Sequence, residues 1–124
     1  SGNEWVVVHD AARPCLPSFD LEQLLTYADR EDSQGALLVA PIVDTLKRVE
    51  SDKCVETLSR AEIFRALTPQ IFRLKDLMMA YDKSIQMGLS FTDESGLMEW
   101  AGLSPNAVLG SSCNIKITQP EDLA

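Results

Sequence analysis

Eight side chains carry a charge or a hydroxyl at places where the sequence pattern changes: Asp10 and Arg13, Thr45 and Lys47, Arg60, Thr92 and Asp93, and Lys116. Cations and hydroxyls of this kind hold a phosphate, and one acid, Asp10, is placed to meet a metal ion, with further metal ligands left open. The set suits phosphoryl-type transfer, in which the protein chiefly positions groups and neutralises charge. Other chemistries lack their parts. The only histidine, His9, ends an apolar run and reads as structural. There is no G-x-S-x-G elbow, and Gly110-Ser111-Ser112 has neither the spacing nor the lysine of a phosphate loop. Singly, each charge also reads as a solvated or structural pair. Lys116 stands apart because it points away from Ile115 and Ile117 in a strictly alternating stretch.

The bulk numbers narrow the field. A length of 124 residues suits one domain, and 45% hydrophobic with 24% charged residues is ordinary globular composition. The net charge of −8, from 11 basic and 19 acidic residues, argues against nucleic-acid binding, which needs a basic surface. It leaves room for a small phosphorylated ligand held by a few local cations. No apolar run approaches the ~20 residues of a membrane-spanning helix. Ser1-Gly2-Asn3-Glu4 lacks a basic region followed by an apolar one, so no signal peptide is expected. Cys15, Cys54 and Cys113 form no CxxC pair, which speaks against structural zinc and for reduced thiols in a cytosolic compartment.

The elements that must position these groups follow from pattern. Trp5 to His9 is apolar without alternation, as in a strand covered on both faces. Ser18 is expected to cap a helix whose apolar face is Leu21, Leu24, Leu25 and Ala28. Gly35 to Ala40 is the next strand, completing a βαβ unit. Residues 44–50 and 55–60 alternate and are polar, around a turn at 51–54, which predicts a hairpin. Such a hairpin is poor core material; it reads as an arm touching another subunit, or else as a solvated excursion. Thr68-Pro69-Gln70 breaks the chain. A helix then runs through Leu74, Leu77, Met78, Tyr81 and Ile85 to a cap at Gly88, with Met78 and Met79 filling core gaps. Another helix begins at Thr92-Asp93-Glu94 and ends at Gly102, followed by a short strand at 107–109 and a strand at 114–118. Thr118, Pro120 and Glu121 form a capping box for one more helix.

Five blocks in order resemble the 2-C-methyl-D-erythritol 4-phosphate cytidylyltransferase family: Val8-His9-Asp10-Ala11-Ala12-Arg13-Pro14, Pro41-Ile42-Val43-Asp44-Thr45-Leu46-Lys47-Arg48, Leu67-Thr68-Pro69-Gln70, Thr92-Asp93-Glu94, and Asn114 through Leu123. The resemblance implies an α/β, Rossmann-like nucleotidyltransferase fold, with a mostly parallel sheet flanked by helices and a β-hairpin dimerisation arm over residues 43–62. It implies cytidylyl transfer from CTP, with Mg²⁺ or another divalent cation, to methylerythritol phosphate in non-mevalonate isoprenoid synthesis. Carried over residue by residue, Lys116 and Arg60 position the acceptor phosphate, and Asp10, Arg13, Thr45, Thr68 and Thr92 are further substrate contacts. Arg60 would serve the partner's site of a homodimer. Nothing in the 124 residues matches the family's Gly-rich CTP loop. Residues 1–124 are therefore expected to be one partial domain, its C-terminal, acceptor-side portion, inactive alone and located in a bacterial cytoplasm, or a plastid should the source be a plant. The rival readings are a cytidylyltransferase for another polyol phosphate, such as ribitol 5-phosphate, and a non-catalytic dimerisation module.

Overall fold

The computed structural model describes residues 4–123; Ser1, Gly2 and Asn3, on which the leader reading rests, and Ala124 lie outside it. The described elements are β1 (Trp5–Val8), α1 (Ser18–Leu25) continued by a 3-10 turn (Thr26–Asp29), β2 (Ala36–Pro41), β3 (Leu46–Glu50), β4 (Lys53–Leu58), β5 (Phe64–Arg73), α2 (Leu74–Gln86), α3 (Glu94–Trp100), β6 (Asn106–Leu109) and a 3-10 turn (Pro120–Leu123).

Four strands form a sheet in the order β1-β5-β2-β6. β2 and β6 pair in parallel, while β5 runs antiparallel to both of its neighbours, β1 and β2. β1, β2 and β6 therefore share one direction, as the βαβ reading requires, but β5 is threaded between the two strands of that unit. The expected break at Thr68-Pro69-Gln70 is instead the middle of this ten-residue strand. Proline normally stays out of central strands except at irregularities, and one lies here. Leu37 faces Gln70 and Val39 faces Ala66, so three β5 residues, Leu67 to Pro69, stand opposite Leu38 alone.

Side chains alternate across the sheet and fill two cores. Leu24, Ala36, Leu38, Ala40, Leu67 and Ile71 pack on the α1 side, with Trp5 and Val108. Phe72, Leu77, Ala80, Leu97 and Met98 pack on the α2–α3 side, with Val6 and Val8. Gly35 makes the close approach possible: at φ +111° a Cβ there would stand 2.5 Å from the Phe72 ring and 2.8 Å from the Ile71 carbonyl.

Several local expectations change. Val7 is 48% exposed, because β1 has a single pairing partner among the described residues rather than cover on both faces. In α2 the buried stripe is Leu77, Ala80 and Ser84, which leaves Met78, Met79, Tyr81 and Ile85 exposed. The methionines are not gap fillers; small Ala and Ser let the helix lie close to the sheet. Ser18 is the first helical residue, after an N-cap at Pro17 that makes no side-chain bond. Both glycine caps hold. Gly88 (φ +68°) and Gly102 (φ +94°) close α2 and α3 with paired bonds, Leu89 N–H to Ser84 and Gly88 N–H to Ile85, then Leu103 N–H to Met98 and Gly102 N–H to Glu99.

The hairpin forms as predicted. β3 and β4 make a separate two-stranded sheet, turned at Ser51-Asp52, both with positive φ, as a tight hairpin turn needs. Arg48 pairs with Glu50 and Glu56, and Lys47 donates to the Thr57 hydroxyl at 2.6 Å. Val49, Val55 and Leu58 are exposed.

Candidate active site

The site gathers where three loops meet. The first is the turn after β1. The Asp10 carboxylate accepts from the Ala12 N–H at 2.9 Å, and the Arg13 N–H returns to the Asp10 carbonyl at 3.0 Å. The second is the β5 irregularity, which turns the Thr68 hydroxyl toward that loop, where it accepts from the Asp10 N–H at 2.9 Å. The third is the segment after β6, tied down by buried Asp20 of α1, whose carboxylate accepts from the Ser111 N–H at 2.7 Å and from its hydroxyl at 3.0 Å.

Asn114, 1% exposed, fastens all three loops together. Its side chain donates to the Thr68 carbonyl at 2.8 Å, and its carbonyl accepts from the Arg13 guanidinium at 2.9 Å. The Ile117 N–H donates to the Ala12 carbonyl at 2.7 Å. Residues 114–118 are therefore not a strand: their polar groups are taken up by loops instead of a ladder. Burial still alternates, however, with Ile115 and Ile117 half-buried and Lys116 exposed. The capping box is also replaced. Asp122, not Thr118 or Glu121, does the capping, accepting from the N–H groups of Thr118 and Gln119. Those two bonds hold its carboxyl below the usual range.

Asp10, Arg13, Ala66, Thr68, Gln70, Thr92, Asp93 and Lys116 line one cleft of about 230 Å³. Lys116 Nζ lies 3.3 Å from the second Asp10 oxygen, a half-exposed pair. Such a pair aims the lysine while contributing little energy of its own, so an arriving dianion can take the ammonium over. The Ala12 N–H bond, then Lys116 and Arg13, hold the Asp10 carboxyl below the ordinary range against a smaller opposing effect of burial. Arg13 Nε and Asn114 Oδ1 are buried with no hydrogen-bond partner among the described residues, so the clamp keeps one donor and one acceptor unused.

The far wall is the start of α3. Asp93 is its N-cap, accepting from the Gly96 N–H at 2.8 Å. Its other oxygen accepts from the Ser95 hydroxyl at 2.7 Å and from the Gln70 amide at 3.1 Å. Burial pushes this carboxyl up, but the bonds from Gln70, Ser95 and Gly96 outweigh it, and the group titrates below its ordinary 3.8. A carboxyl depressed in the folded state stabilises the fold above its unfolded pKa, and that contribution disappears as pH falls through the folded value. Asp93→Ala is accordingly expected to cost about 1–2 kcal/mol at neutral pH. Urea unfolding should show the gap between variant and parent closing once pH drops well below 3.8.

Five of the seven predicted contacts thus meet: Asp10, Arg13, Thr68, Thr92 and Lys116. Thr45 and Arg60 do not line that cleft. Thr45 is exposed before β3, and Arg60 donates to the Val43 and Ile42 carbonyls at the base of the arm. Sequence pattern passes over four residues: Gln70, Asp93 as a network member, Asn114, and His9 in its contact with Thr68. A Gln beside a proline within the mostly apolar stretch Leu67 to Phe72 is the one available sequence signal. Among the described residues no cluster of three or more His, Cys, Asp or Glu could hold a metal, and both Asp10 oxygens are engaged. No described helix is long and apolar enough to cross a membrane.

Helices on both faces of a sheet, with cations collected beyond the end of β1, define an α/β domain of Rossmann-like build. Comparison with known proteins carries this further. A model of the 2-C-methyl-D-erythritol 4-phosphate cytidylyltransferase family matches residues 1–124, and the chain belongs to that family. It is 50% identical over 122 residues to the enzyme of that name from Vibrio atlanticus (strain LGP32), covering 98% of this chain and 52% of the relative. It is 47% identical over 123 residues to the one from Haemophilus influenzae (strain PittEE), covering 98% and 53%. The solved Francisella tularensis 2-C-methyl-D-erythritol 4-phosphate cytidylyltransferase superposes with a TM-score of 0.89 at 38% identity, over 99% of this chain and 58% of that one. The solved Thermus thermophilus enzyme of the same name gives 0.87 at 32%, over 96% and 58%. The chain therefore spans about half the length of the curated relatives it matches.

Proposed function

We propose that this chain forms the acceptor side of an enzyme that transfers a cytidylyl group from CTP to 2-C-methyl-D-erythritol 4-phosphate in isoprenoid synthesis in the bacterial cytoplasm. The observation that carries the reading is the convergence of Lys116, Arg13, Thr68 and Thr92 on one cleft. In the reaction, an acceptor phosphate oxygen attacks the α-phosphorus of CTP, a P–O bond forms, and pyrophosphate leaves with the electron pair of the broken bond. The work of the cations among these residues is to hold that oxygen in line and to offset negative charge as two polyanions approach, while the hydroxyls orient the acceptor. Lys116 leaves Asp10 for the acceptor phosphate. The freed Asp10 carboxylate then faces the polyol.

The arm completes the site from a second copy. β3 and β4 lie in a sheet apart from the domain's own and expose apolar side chains on both faces, Val49 on one and Leu58 on the other, suited to burial in an isologous dimer. Thr45 and Arg60 at the arm's base then reach the partner's cleft, where Arg60 joins Lys116 on the phosphate. Mg²⁺ enters only as the companion of the CTP phosphates. The described residues present no ligand set for it.

No stretch of the 124 residues has the spacing of a triphosphate loop, so binding and turnover should separate. Calorimetry is expected to show the chain binding methylerythritol phosphate. Pyrophosphate release from CTP, Mg²⁺ and acceptor is expected to stay at background. Failure to bind the acceptor contradicts the reading of the cleft; turnover at the roughly 1–10³ s⁻¹ usual for enzymes contradicts the division of labour.

A further inference from the structure

We infer that His9 is a positioning residue that fixes the hydrogen-bond polarity of Thr68, and that Thr68 therefore receives a hydroxyl of the acceptor's polyol, not an oxygen of its phosphate. The inference rests on the proposed reading of the cleft for the identity of the ligand.

Counting protons leads there. His9 Nε2 lies 3.0 Å from the Arg13 carbonyl oxygen. A carbonyl only accepts, so in the neutral ring Nε2 carries the hydrogen and Nδ1 is left as a bare acceptor. Nδ1 lies 3.0 Å from the Thr68 hydroxyl, which must donate to it. A threonine hydroxyl has one proton and two lone pairs. The proton is now committed to His9, and one lone pair is committed to the Asp10 N–H at 2.9 Å. What Thr68 offers the cleft is a single lone pair. A phosphate dianion has no hydrogen to give it, whereas an alcohol does. The opposite tautomer would turn the Nε2 lone pair onto the Arg13 carbonyl and would leave the threonine proton free for an anion. The groups around this relay fit the division. Lys116 and Arg13 are the cations of the cleft, Asp10 and Asp93 its acids, and Thr92 its second hydroxyl. Charge recognition falls to the cations. Thr68 and Asp10, which both accept, are left to read hydroxyls.

The chain has one histidine, so its ring nitrogens can be read without assignment of a crowded spectrum. Long-range ¹H–¹⁵N correlation on the ¹⁵N-labelled chain, at a pH where a histidine ring is neutral, is expected to show the Nε2–H tautomer. A dominant Nδ1–H form would overturn the inference. The ligand arm compares methylerythritol phosphate with n-butyl phosphate, which has a similar carbon chain and no hydroxyl. Thr68→Val is expected to weaken the polyol phosphate about 5- to 10-fold and to leave butyl phosphate within about 2-fold. Equal weakening of both ligands would put Thr68 on the phosphate and overturn the inference, with the cleft reading intact. If neither ligand binds the parent chain, the cleft reading fails and the inference fails with it. Should Thr68→Val not fold, Thr68→Ser keeps the hydroxyl and is expected to preserve the preference for the polyol; losing that preference would also count against the inference.

Discussion

Lys116→Ala is expected to weaken binding of methylerythritol phosphate to the chain by about 100-fold, close to 3 kcal/mol, as measured by calorimetry. The size follows from what the lysine does in each state. Unliganded, it sits 3.3 Å from Asp10 in a pair open to water, so its removal should barely change folding stability. Liganded, on the proposed reading, it would trade that carboxylate for a phosphate dianion within a small cleft, where a charge-assisted bond is worth most. The same substitution has a second readout. Lys116 and Arg13 help hold the Asp10 carboxyl below its ordinary range, after the larger effect of the Ala12 N–H. Without Lys116 the Asp10 titration should move upward, part of the way back, because the Ala12 bond remains. A carboxyl resonance followed against pH checks this. Unchanged ligand affinity in a folded Lys116→Ala chain would remove the cornerstone of the proposed site.

Arg60→Ala is expected to cost a comparable factor, again about 100-fold, although Arg60 lines no part of its own chain's cleft. Its guanidinium now closes the base of the arm by donating to Val43 and Ile42 carbonyls. Those bonds are exposed and replaceable by water, so folding stability should change by less than about 1 kcal/mol. A large loss of affinity with little loss of stability, from a residue outside the cleft, is what a residue acting on a neighbouring copy produces. On the proposed reading, sedimentation should show Arg60→Ala still dimeric, since the exposed Val49, Val55 and Leu58 would supply the apolar contact. An affinity unchanged by Arg60→Ala would reduce the arm to an assembly device.

Much of this is legible in the residues alone. Strands with apolar runs, such as Ala36 to Ala40, and helices ended by Gly88 and Gly102 declare themselves through period and cap. The hairpin is visible because its polar alternation cannot be core. The failures have one physical cause, which is tertiary context overriding local pattern. Pro69 signals a break, yet Leu67, Ile71 and Phe72 have cores waiting on opposite faces, and β5 runs through the break with its irregularity there. Alternation at Ile115 and Ile117 signals a strand, yet Asn114 and Ile117 commit their backbone groups to Arg13 and Ala12. The α2 stripe departs from its pattern because the two small residues Ala80 and Ser84 are buried in place of the larger Met78 and Tyr81. In the site, the charged residues are readable as types, whereas the neutral ones that aim them, Asn114 and Gln70, are not. Their role depends on contacts 46, 101 and 25 residues away in sequence.

The central claim is that one acceptor site is built from Lys116 of one copy and Arg60 of another. It is tested most directly by mixing the two defective chains. Arg60→Ala keeps a sound lysine, and Lys116→Ala keeps a sound arginine. In a mixed dimer one of the two sites regains both groups. Random reassortment of equal amounts makes about half the dimers mixed, so calorimetric titration with methylerythritol phosphate should recover about one tight site per four protomers, against one per protomer in the parent chain. Neither variant alone should show any. If the mixture, after verified subunit exchange, binds no better than its separate components, Lys116 and Arg60 do not meet across the dimer and the account is contradicted.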